Sequence, residues 1–232
     1  MTTESVSSKN NVLVIAAHPD DEVLGVGATV NKHIENGDMV TFVYITDGYM
    51  QDYSDEGFRK EKRECARKAS YILGVDKLYF LGFHGLLLDT ISKSKLNMAL
   101  TRLVENVKPD IVYTHYWGDV NHDHQIVFDM TVVACRPHRD KAVKKILAYE
   151  VLSSTEWSGK VADINYQPTE FNIVSKKNLI DKIEAFKCYH TEQFEYPHPR
   201  AVESIETLAK HRGFSINREY AEAFLVIRNI CE

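Results

Sequence analysis

The chain has 232 residues and a formal net charge of −5, with 44% hydrophobic and 26% charged residues. This composition is typical of a globular protein, and the length suits one domain or one domain with a small appendage. The negative balance, without a dense basic stripe, argues against a nucleic-acid-binding protein. No apolar run approaches the ~20 residues that a membrane span needs, so we expect no membrane insertion.

The first ten residues and the cysteines bear on the cellular compartment. Residues 1–10 are polar, lack the apolar core of a signal peptide and are predicted to form a disordered or frayed tail. The four cysteines, Cys65, Cys135, Cys188 and Cys231, form no CxxC pair, so we expect reduced thiols. Together these features predict a cytoplasmic protein.

Along the first two thirds of the chain, apolar runs typical of buried strands alternate with amphipathic segments typical of helices. The predicted strands are residues 12–17, 39–46, 77–83, 110–115 and 145–152. The predicted helices between them are residues 22–36, 57–73, 92–107 and 124–135. This alternation predicts an α/β fold with a Rossmann-like, mostly parallel sheet and helices on both of its faces.

The alternation ends at residue 152. The remainder is predicted to contain a polar loop at 153–168, a short strand at 170–174, a helix at 175–190, a rigid turn at 196–200 and a last edge strand at 220–230. Ser175 is predicted to cap the helix. We therefore predict a single domain over 11–232, with a Rossmann-like core at 11–152 and C-terminal elements at 153–232 that complete the domain and its pocket.

Histidines and aspartates crowd at the ends of two predicted strands. His18, Asp20 and Asp21 follow the first strand, and His115, Asp119, His122, Asp123 and His124 lie at or after the end of the fourth. In open parallel sheets, ligands bind at the carboxyl ends of the strands, so we expect both clusters at one edge of the sheet. A cation would neutralise the carboxylate repulsion, and imidazole with carboxylate is a typical ligand set for zinc or iron.

The spacing within the first cluster suggests separate roles. His18 and Asp21 are close enough across a tight turn to chelate a metal, and one histidine of "NHDH" at 121–124 would complete the site. Asp20 would then be free to take a proton from water that the metal activates. The alternative is that Asp20 or Asp21 caps the following helix and that the histidines are structural. The second cluster at a matching strand end favours the metal site.

These motifs resemble a known family. The segment "AAHPDDEVLGVGAT" at 16–29, followed by "DVNHDH" at 119–124, resembles the PIG-L (LmbE-like) family of zinc-dependent de-N-acetylases. Four further segments fit the same layout, so the resemblance covers most of the chain. They are "ITDG" at 45–48, "LGV" at 73–75, "HPR" at 198–200 and "YAEAF" at 220–224.

The resemblance implies specific roles. His18, Asp21 and His124 would bind Zn²⁺, for which Fe²⁺ is an alternative, and Asp20 would be the general base. Many members have "HPDH" at the distal site, but this chain has Asn121 in place of the first histidine. Asn121 can donate a hydrogen bond to substrate but cannot deliver a proton.

The remaining candidates are substrate-binding residues and proton donors. The leaving amine could receive its proton from Asp20 itself or from His122, His115 or His198. An arginine of the second helix often contacts substrate in this family, and we choose Arg63 over Arg59; the alternative is a solvated arginine. His198 and Arg200 are expected to line the pocket, although "PHPR" could be a plain rigid turn. Trp157 and Glu156 could face a sugar at the same rim.

The resulting hypothesis is a metal-dependent hydrolase that removes acetyl from a small-molecule N-acetylated amino sugar or its conjugate. One alternative is hydrolysis of a non-sugar amide. Another is a non-catalytic nucleotide-binding module, which "HPDDE" disfavours because a phosphate loop is rich in glycine. We expect no nucleic-acid or membrane partner, and the sequence leaves open whether the chain forms a homo-oligomer.

Overall fold

The computed structural model describes residues 9–48, 56–137, 142–159 and 165–231. Most of the predicted tail at 1–10 therefore lies outside the described residues, as do positions 160–164 of the predicted loop. Within the tail, the backbone N–H of Asn10 donates to Asp38 at 2.8 Å.

Seven strands form one sheet, and the predicted α/β class is confirmed. The strands are β1 (Asn11–Ala16), β2 (Met39–Thr46), β3 (Lys77–Phe83), β4 (Ile111–His115), β5 (Lys145–Tyr149), β6 (Glu170–Ile173) and β7 (Ala221–Asn229). Their order is β3-β2-β1-β4-β5-β7-β6. The first five strands are parallel, whereas β7 runs antiparallel to both β5 and β6. The elements after residue 152 thus extend the same sheet.

Six α-helices accompany the sheet in the described part of the chain. They are α1 (Asp21–Glu35), α2 (Glu56–Leu73), α3 (Lys93–Val107), α4 (His122–Ala134), α5 (Lys176–Lys187) and α6 (Val202–Phe214). Ser175 caps α5 as predicted, in a reciprocal capping box with Asn178. Helix α4 begins two residues earlier than predicted because Asn121 supplies its N-cap.

Alternate residues of β1 pack into two separate apolar layers. Val12 and Val14 belong to one layer with residues of α1, α2 and α5, whereas Leu13 and Ile15 belong to another with residues of α3 and α4. All four side chains are fully buried. A central parallel strand that is apolar on both faces needs helices on both faces, which is what the continuous apolar run predicts.

Two features of the C-terminal part correct the sequence prediction. Strand β7 is not an edge strand, because β6 pairs on its outer side and becomes the edge. Helix α6 was not predicted at all. Only Ile205, Ala209 and Gly213 of this helix are buried, which gives a weak apolar pattern, and Ala201 at the N-cap provides no side-chain hydrogen bond.

The connection between the strands places two loops side by side. From β1 the chain builds β2 and β3 on one side and then returns to place β4 on the other side. The carboxyl ends of β1 and β4 therefore flank the topological switch point, where open α/β sheets bind ligands. Helix α1 lies very close to β5 here: a Cβ on Gly25 would come within 2.2 Å of the Tyr149 ring.

Two further expectations concern membranes and thiols. No helix among the described residues is long and apolar enough to cross a membrane. All four cysteines are free thiols, as predicted, and two of them, Cys65 and Cys135, are buried.

Candidate metal centre

The turn between β1 and α1 folds back on itself. The carboxylate of Asp21 accepts the backbone N–H of His18 at 2.8 Å, and the N–H of Asp21 reaches the His18 carbonyl at 3.3 Å. Asp20 occupies the N-cap position but its side chain makes no capping hydrogen bond. Its φ of 131° lies in a region that L residues rarely adopt. The simple helix-capping alternative for this pair of aspartates is therefore wrong.

The structure brings His18, Asp21 and His124 together at the ends of β1 and β4. One ligand atom from each residue lies within 4.8 Å of the other two. His18 Nδ1 is 3.3 Å from one oxygen of Asp21, and His124 Nε2 is 3.4 Å from the other. The two predicted clusters thus meet at one edge of the sheet.

Two buried atoms of this group lack a hydrogen bond among the described residues. Asp21 Oδ1 and His124 Nε2 make no hydrogen bond within the described part of the chain. Buried polar atoms are nearly always satisfied, because leaving one unpaired costs about 1–3 kcal/mol. Since these two unpaired atoms face each other, the donor set fits a metal ion that both would bind.

Each histidine of the group is held by a second carboxylate. Asp119 lies 3.2 Å from His124 Nδ1, and Asp123 lies 3.0 Å from His18 Nε2. Such carboxylates fix the ring orientation and leave the other nitrogen available to a metal. Neither aspartate is assigned a role by the sequence pattern, although both lie in the second cluster of histidines and aspartates.

Asp119 is itself held rigidly. It accepts hydrogen bonds from the hydroxyls of Ser154 and Thr155, the latter at 2.8 Å, and from the backbone N–H of Asn121 at 2.8 Å. Asp119 therefore ties the loop after β4 to the loop after β5.

Burial and charge act in opposite directions on the group. Burial lowers the pKa of His18, but Asp123 and Asp21 more than offset it and raise the pKa to about 10. Burial likewise opposes a charge on His124, whose pKa Asp21 and Asp119 raise to about 9. Burial raises the pKa of Asp21, and the neighbouring His124 reverses this and holds it well below its usual range. Without a metal, the group therefore holds protons that a metal would displace.

Asp20 is next to Asp21 in the sequence, but its carboxylate pairs with an arginine instead of a histidine of the group. Its carboxylate accepts from Arg200 Nη1 at 2.9 Å, and the same guanidinium reaches Glu192 at 2.7 Å and the Ser153 hydroxyl at 2.8 Å. Lys62 pairs with Glu192 from the other side. Burial raises the pKa of Asp20 to about 7, although Arg200 opposes the shift.

The other proton-donor candidates have distinct surroundings. His115 is fully buried, its Nε2 accepts the backbone N–H of Ala17 at 2.9 Å, and burial holds its pKa well below the usual value. Asn121 Oδ1 accepts the N–H of Asp123 at 2.9 Å and so caps α4. His122, at the first position of α4, is exposed.

The predicted arginine contact lies at the end of β2. Arg63 and Arg59 both bind Asp47, at 2.8 Å and 2.7 Å, and each is about one third exposed. His198 is linked to Asp20 through Arg200: its Nδ1 accepts the backbone N–H of Arg200 at 3.1 Å, and the guanidinium of Arg200 binds Asp20.

Comparison with known proteins gives the family. Residues 13–135 match the PIG-L family, described as GlcNAc-PI de-N-acetylase. The uncharacterized deacetylase YaiS of Escherichia coli K12 is 29% identical over 191 residues, 79% of this chain and 92% of that protein. A probable N-acetyl-alpha-D-glucosaminyl L-malate deacetylase 2 of Bacillus subtilis is 30% identical over 193 residues, 79% of this chain and 84% of that protein.

Solved structures share the fold across nearly the whole chain. The N,N'-diacetylchitobiose deacetylase of Pyrococcus horikoshii matches with a TM-score of 0.76 at 22% identity, covering 95% of this chain and 84% of that one. GalB, the 4-carboxy-2-hydroxymuconate hydratase of Pseudomonas putida KT2440, matches with a TM-score of 0.74 at 18% identity, covering 95% and 97%. These likenesses concern the fold alone. The family match covers more than half of the chain and includes both motifs of the candidate metal centre, so the chain belongs to the PIG-L family.

Proposed function

We propose that this protein is a metal-dependent deacetylase that hydrolyses the acetamide of an N-acetylated amino sugar or sugar conjugate. The observation that carries the proposal concerns two buried atoms, Asp21 Oδ1 and His124 Nε2. They face each other at 3.4 Å, and neither makes a hydrogen bond within the described part of the chain. His18, Asp21 and His124 would hold Zn²⁺ or Fe²⁺. When bound, such an ion polarises the amide carbonyl and activates water for attack.

Asp20 is the general base in this proposal. Its carboxylate is buried next to Asp21 but is not a member of the His–Asp–His group, so it is available to accept the proton of the attacking water. The guanidinium of Arg200 orients it at 2.9 Å. Near neutral pH, a carboxyl whose pKa is shifted upward towards 7 both accepts and releases a proton readily.

The same residue returns the proton to the leaving amine. Asn121 cannot deliver one, and its side-chain oxygen is engaged in capping α4. The Nε2 of His115 already accepts a backbone N–H, and the pKa of this ring lies well below its usual value. The amine leaves with the proton that Asp20 took from water, and the second proton of that water stays on acetic acid, which ionises to acetate at neutral pH. Asn121, His122, Arg63, His198 and Arg200 remain the proposed substrate-binding residues.

The substrate class is supported by what the relatives are called. They include a probable N-acetyl-alpha-D-glucosaminyl L-malate deacetylase and a diacetylchitobiose deacetylase. A nucleotide-binding module is disfavoured because four buried carboxylates, Asp20, Asp21, Asp119 and Asp123, would repel phosphate.

The test is acetate release from a panel of N-acetylated compounds, with the metal removed by a chelator and then restored. We expect acetate and free amine from N-acetylglucosamine conjugates, loss of activity on chelation and recovery with Zn²⁺ or Fe²⁺. Elemental analysis should find about one transition-metal ion per chain, because the described residues form one such group.

Two other outcomes would contradict the proposal. Acetate release from N-acetyl amino acids but from no sugar would indicate a non-sugar amidohydrolase. Hydration of 4-carboxy-2-hydroxymuconate without any acetate release would instead align the chain with the hydratase that shares its fold.

A further inference from the structure

Three aromatic rings, two of them exposed, form a cluster around His198. The ring of His198 stacks on Phe194 with 4.1 Å between centroids, and Trp157 meets His198 edge-on at 5.9 Å. Trp157 is 53% exposed and Phe194 is 52% exposed. We call Trp157, Phe194 and His198 the aromatic platform.

One residue connects the aromatic platform to the candidate base. Arg200 donates its backbone N–H to His198 at 3.1 Å and its guanidinium to Asp20 at 2.9 Å. The platform and Asp20 are therefore linked through a single residue, Arg200.

The loop that carries Trp157 is fixed in place. Thr155 and Val151 exchange two hydrogen bonds of 2.9 Å, and the backbone N–H groups of Ser153 and Ser154 donate to Glu156. The same loop holds Asp119 through the hydroxyls of Ser154 and Thr155. A loop whose backbone is already fixed loses little entropy when its aromatic residue binds a ligand.

The polar atoms of the platform also point to a ligand with hydroxyl groups. Because His198 Nδ1 accepts the Arg200 N–H, its proton in the neutral ring lies on Nε2. Among the described residues, neither His198 Nε2 nor Trp157 Nε1 has a hydrogen-bond partner. The platform therefore combines exposed ring faces with two available N–H donors.

We propose that the aromatic platform binds a second pyranose ring of the substrate, joined to the N-acetylated ring that lies at the metal centre. This inference rests on the proposed function and narrows its substrate class to oligosaccharides or glycosylated conjugates. The C–H-lined face of a pyranose is weakly positive and packs on the negative face of an aromatic ring. Its hydroxyls accept hydrogen bonds from the indole and imidazole N–H groups.

The first test compares Trp157→Ala with the parent protein on three substrates: N-acetylglucosamine, N,N'-diacetylchitobiose and the octyl glycoside of N-acetylglucosamine. We expect kcat/KM for the disaccharide to fall about tenfold more than for the other two, since an aromatic contact of this kind contributes about one order of magnitude. Equal losses on the disaccharide and the octyl glycoside would overturn the proposal, because they would indicate a general apolar contact.

Phe214→Ala is the matched control. Phe214 is 66% exposed and also meets a histidine edge-on, His211 at 5.0 Å. It lies at the far end of α6, about 20 Å from the Arg200 end of this 13-residue helix. We expect no change in the substrate ratio, and a change as large as that of Trp157→Ala would overturn the proposal.

A binding measurement separates this inference from the proposed function. The chain has two tryptophans, so Trp117→Phe leaves Trp157 as the only indole fluorophore. Titration of this variant with chitobiose, which carries no acetyl group, should change the fluorescence saturably, and glucosamine should not. A saturable change without any deacetylase activity would contradict the proposed function alone. Deacetylase activity without a saturable change would contradict the second-ring site alone.

Discussion

Two of the buried clusters of opposite charges in the described part of the chain differ in how completely their atoms are hydrogen-bonded. In the first, Lys182 Nζ binds Glu222 at 2.6 Å and the Leu24 carbonyl at 2.7 Å. Glu222 also accepts the backbone N–H groups of Ala28 and Thr29, at 3.2 Å and 2.7 Å. Both side chains are 5% exposed, and the ion pair fixes the middle of α1 against α5 and β7.

The second cluster is the candidate metal centre at the N-terminal end of the same helix. It is equally buried, yet Asp21 Oδ1 and His124 Nε2 have no hydrogen-bond partner within the described residues. Burial of charge alone therefore does not distinguish a functional site from a structural ion pair. The difference lies in hydrogen bonding: Lys182 and Glu222 bond to each other and to the backbone, whereas two buried atoms of the candidate metal centre make no hydrogen bond to any residue that the structure describes and are available to an added ion.

The sharpest test of this comparison is metal retention after loss of one histidine. His124→Ala removes one of the unpaired atoms, and we expect complete loss of bound metal because two remaining ligands hold an ion weakly. His122→Ala, two residues away on an exposed position, should retain it. Elemental analysis of both purified variants measures the bound metal. If His122→Ala loses the metal and His124→Ala retains it, the assignment of the ligand histidine is wrong.

The next largest effect is expected at Asp20. Asp20→Asn should retain metal but lose about 10²–10⁴-fold in turnover, because an amide cannot accept the proton. This corresponds to about 3–5.5 kcal/mol of transition-state stabilisation. Asparagine tolerates a positive φ, so the turn should persist. Asp21→Asn is the counterpart and should weaken metal binding instead. A deacetylation assay beside metal analysis and a thermal melt separates the two residues, and near-parental turnover by Asp20→Asn would exclude it as the base.

In the Lys182–Glu222 cluster, we expect a substitution to lower the stability of the fold. Lys182→Met leaves Glu222 buried without its counter-charge, which should lower the free energy of unfolding by about 3–5 kcal/mol. The folded fraction should still bind metal at the parental stoichiometry. Urea denaturation gives the first quantity and elemental analysis the second. The double variant Lys182→Met/Glu222→Gln should recover part of the loss; if it is less stable than the single variant, the uncompensated charge is not the cause.

A smaller effect is expected from pH, which should change the affinity of the candidate metal centre for a metal ion. In the metal-free protein the pKa values of His18 and His124 are raised to about 10 and about 9, so both rings carry a proton at neutral pH. A metal must displace both protons, and its apparent affinity should fall as the pH falls, by up to about 100-fold per unit. Competition with a chelator at pH 6 and pH 7 measures this slope. A pH-independent affinity would mean that these rings are not the ligands.

The parallel half of the fold is predictable because each strand and helix carries its own local signal. Strands β2 and β3 have the predicted bounds, and each end of β1 lies within one residue of its own predicted bound. Helix α6 escapes because Ile205 is its one large apolar residue that is buried. The position of β6 at the edge of the sheet was not predicted for another reason. Strand order is decided by tertiary packing, and nothing in the periodicity of β6 or β7 encodes it.

The candidate site divides in a similar way. Its His–Asp–His group follows from residue types at strand ends, which are local features of the sequence. The contacts that hold the group are not local: Ser154 and Thr155 reach Asp119 across about 35 positions, and Arg200 reaches Asp20 across 180. Each of these contacts needs the fold before it can be inferred.

The backbone of Asp20, with φ at 131°, has a consequence for how this sequence would evolve. Glycine is the residue that this conformation favours, and Asp20→Gly would relieve strain of about 1–3 kcal/mol, opposed by the entropy of an unfolded glycine and by loss of the ion pair with Arg200. Mutation filtered for folding alone would therefore admit glycine at position 20. Selection for turnover would retain the aspartate if it is the general base. Comparing the frequencies of aspartate and glycine at position 20 in libraries selected for folding and for turnover would therefore show how far activity and stability conflict there.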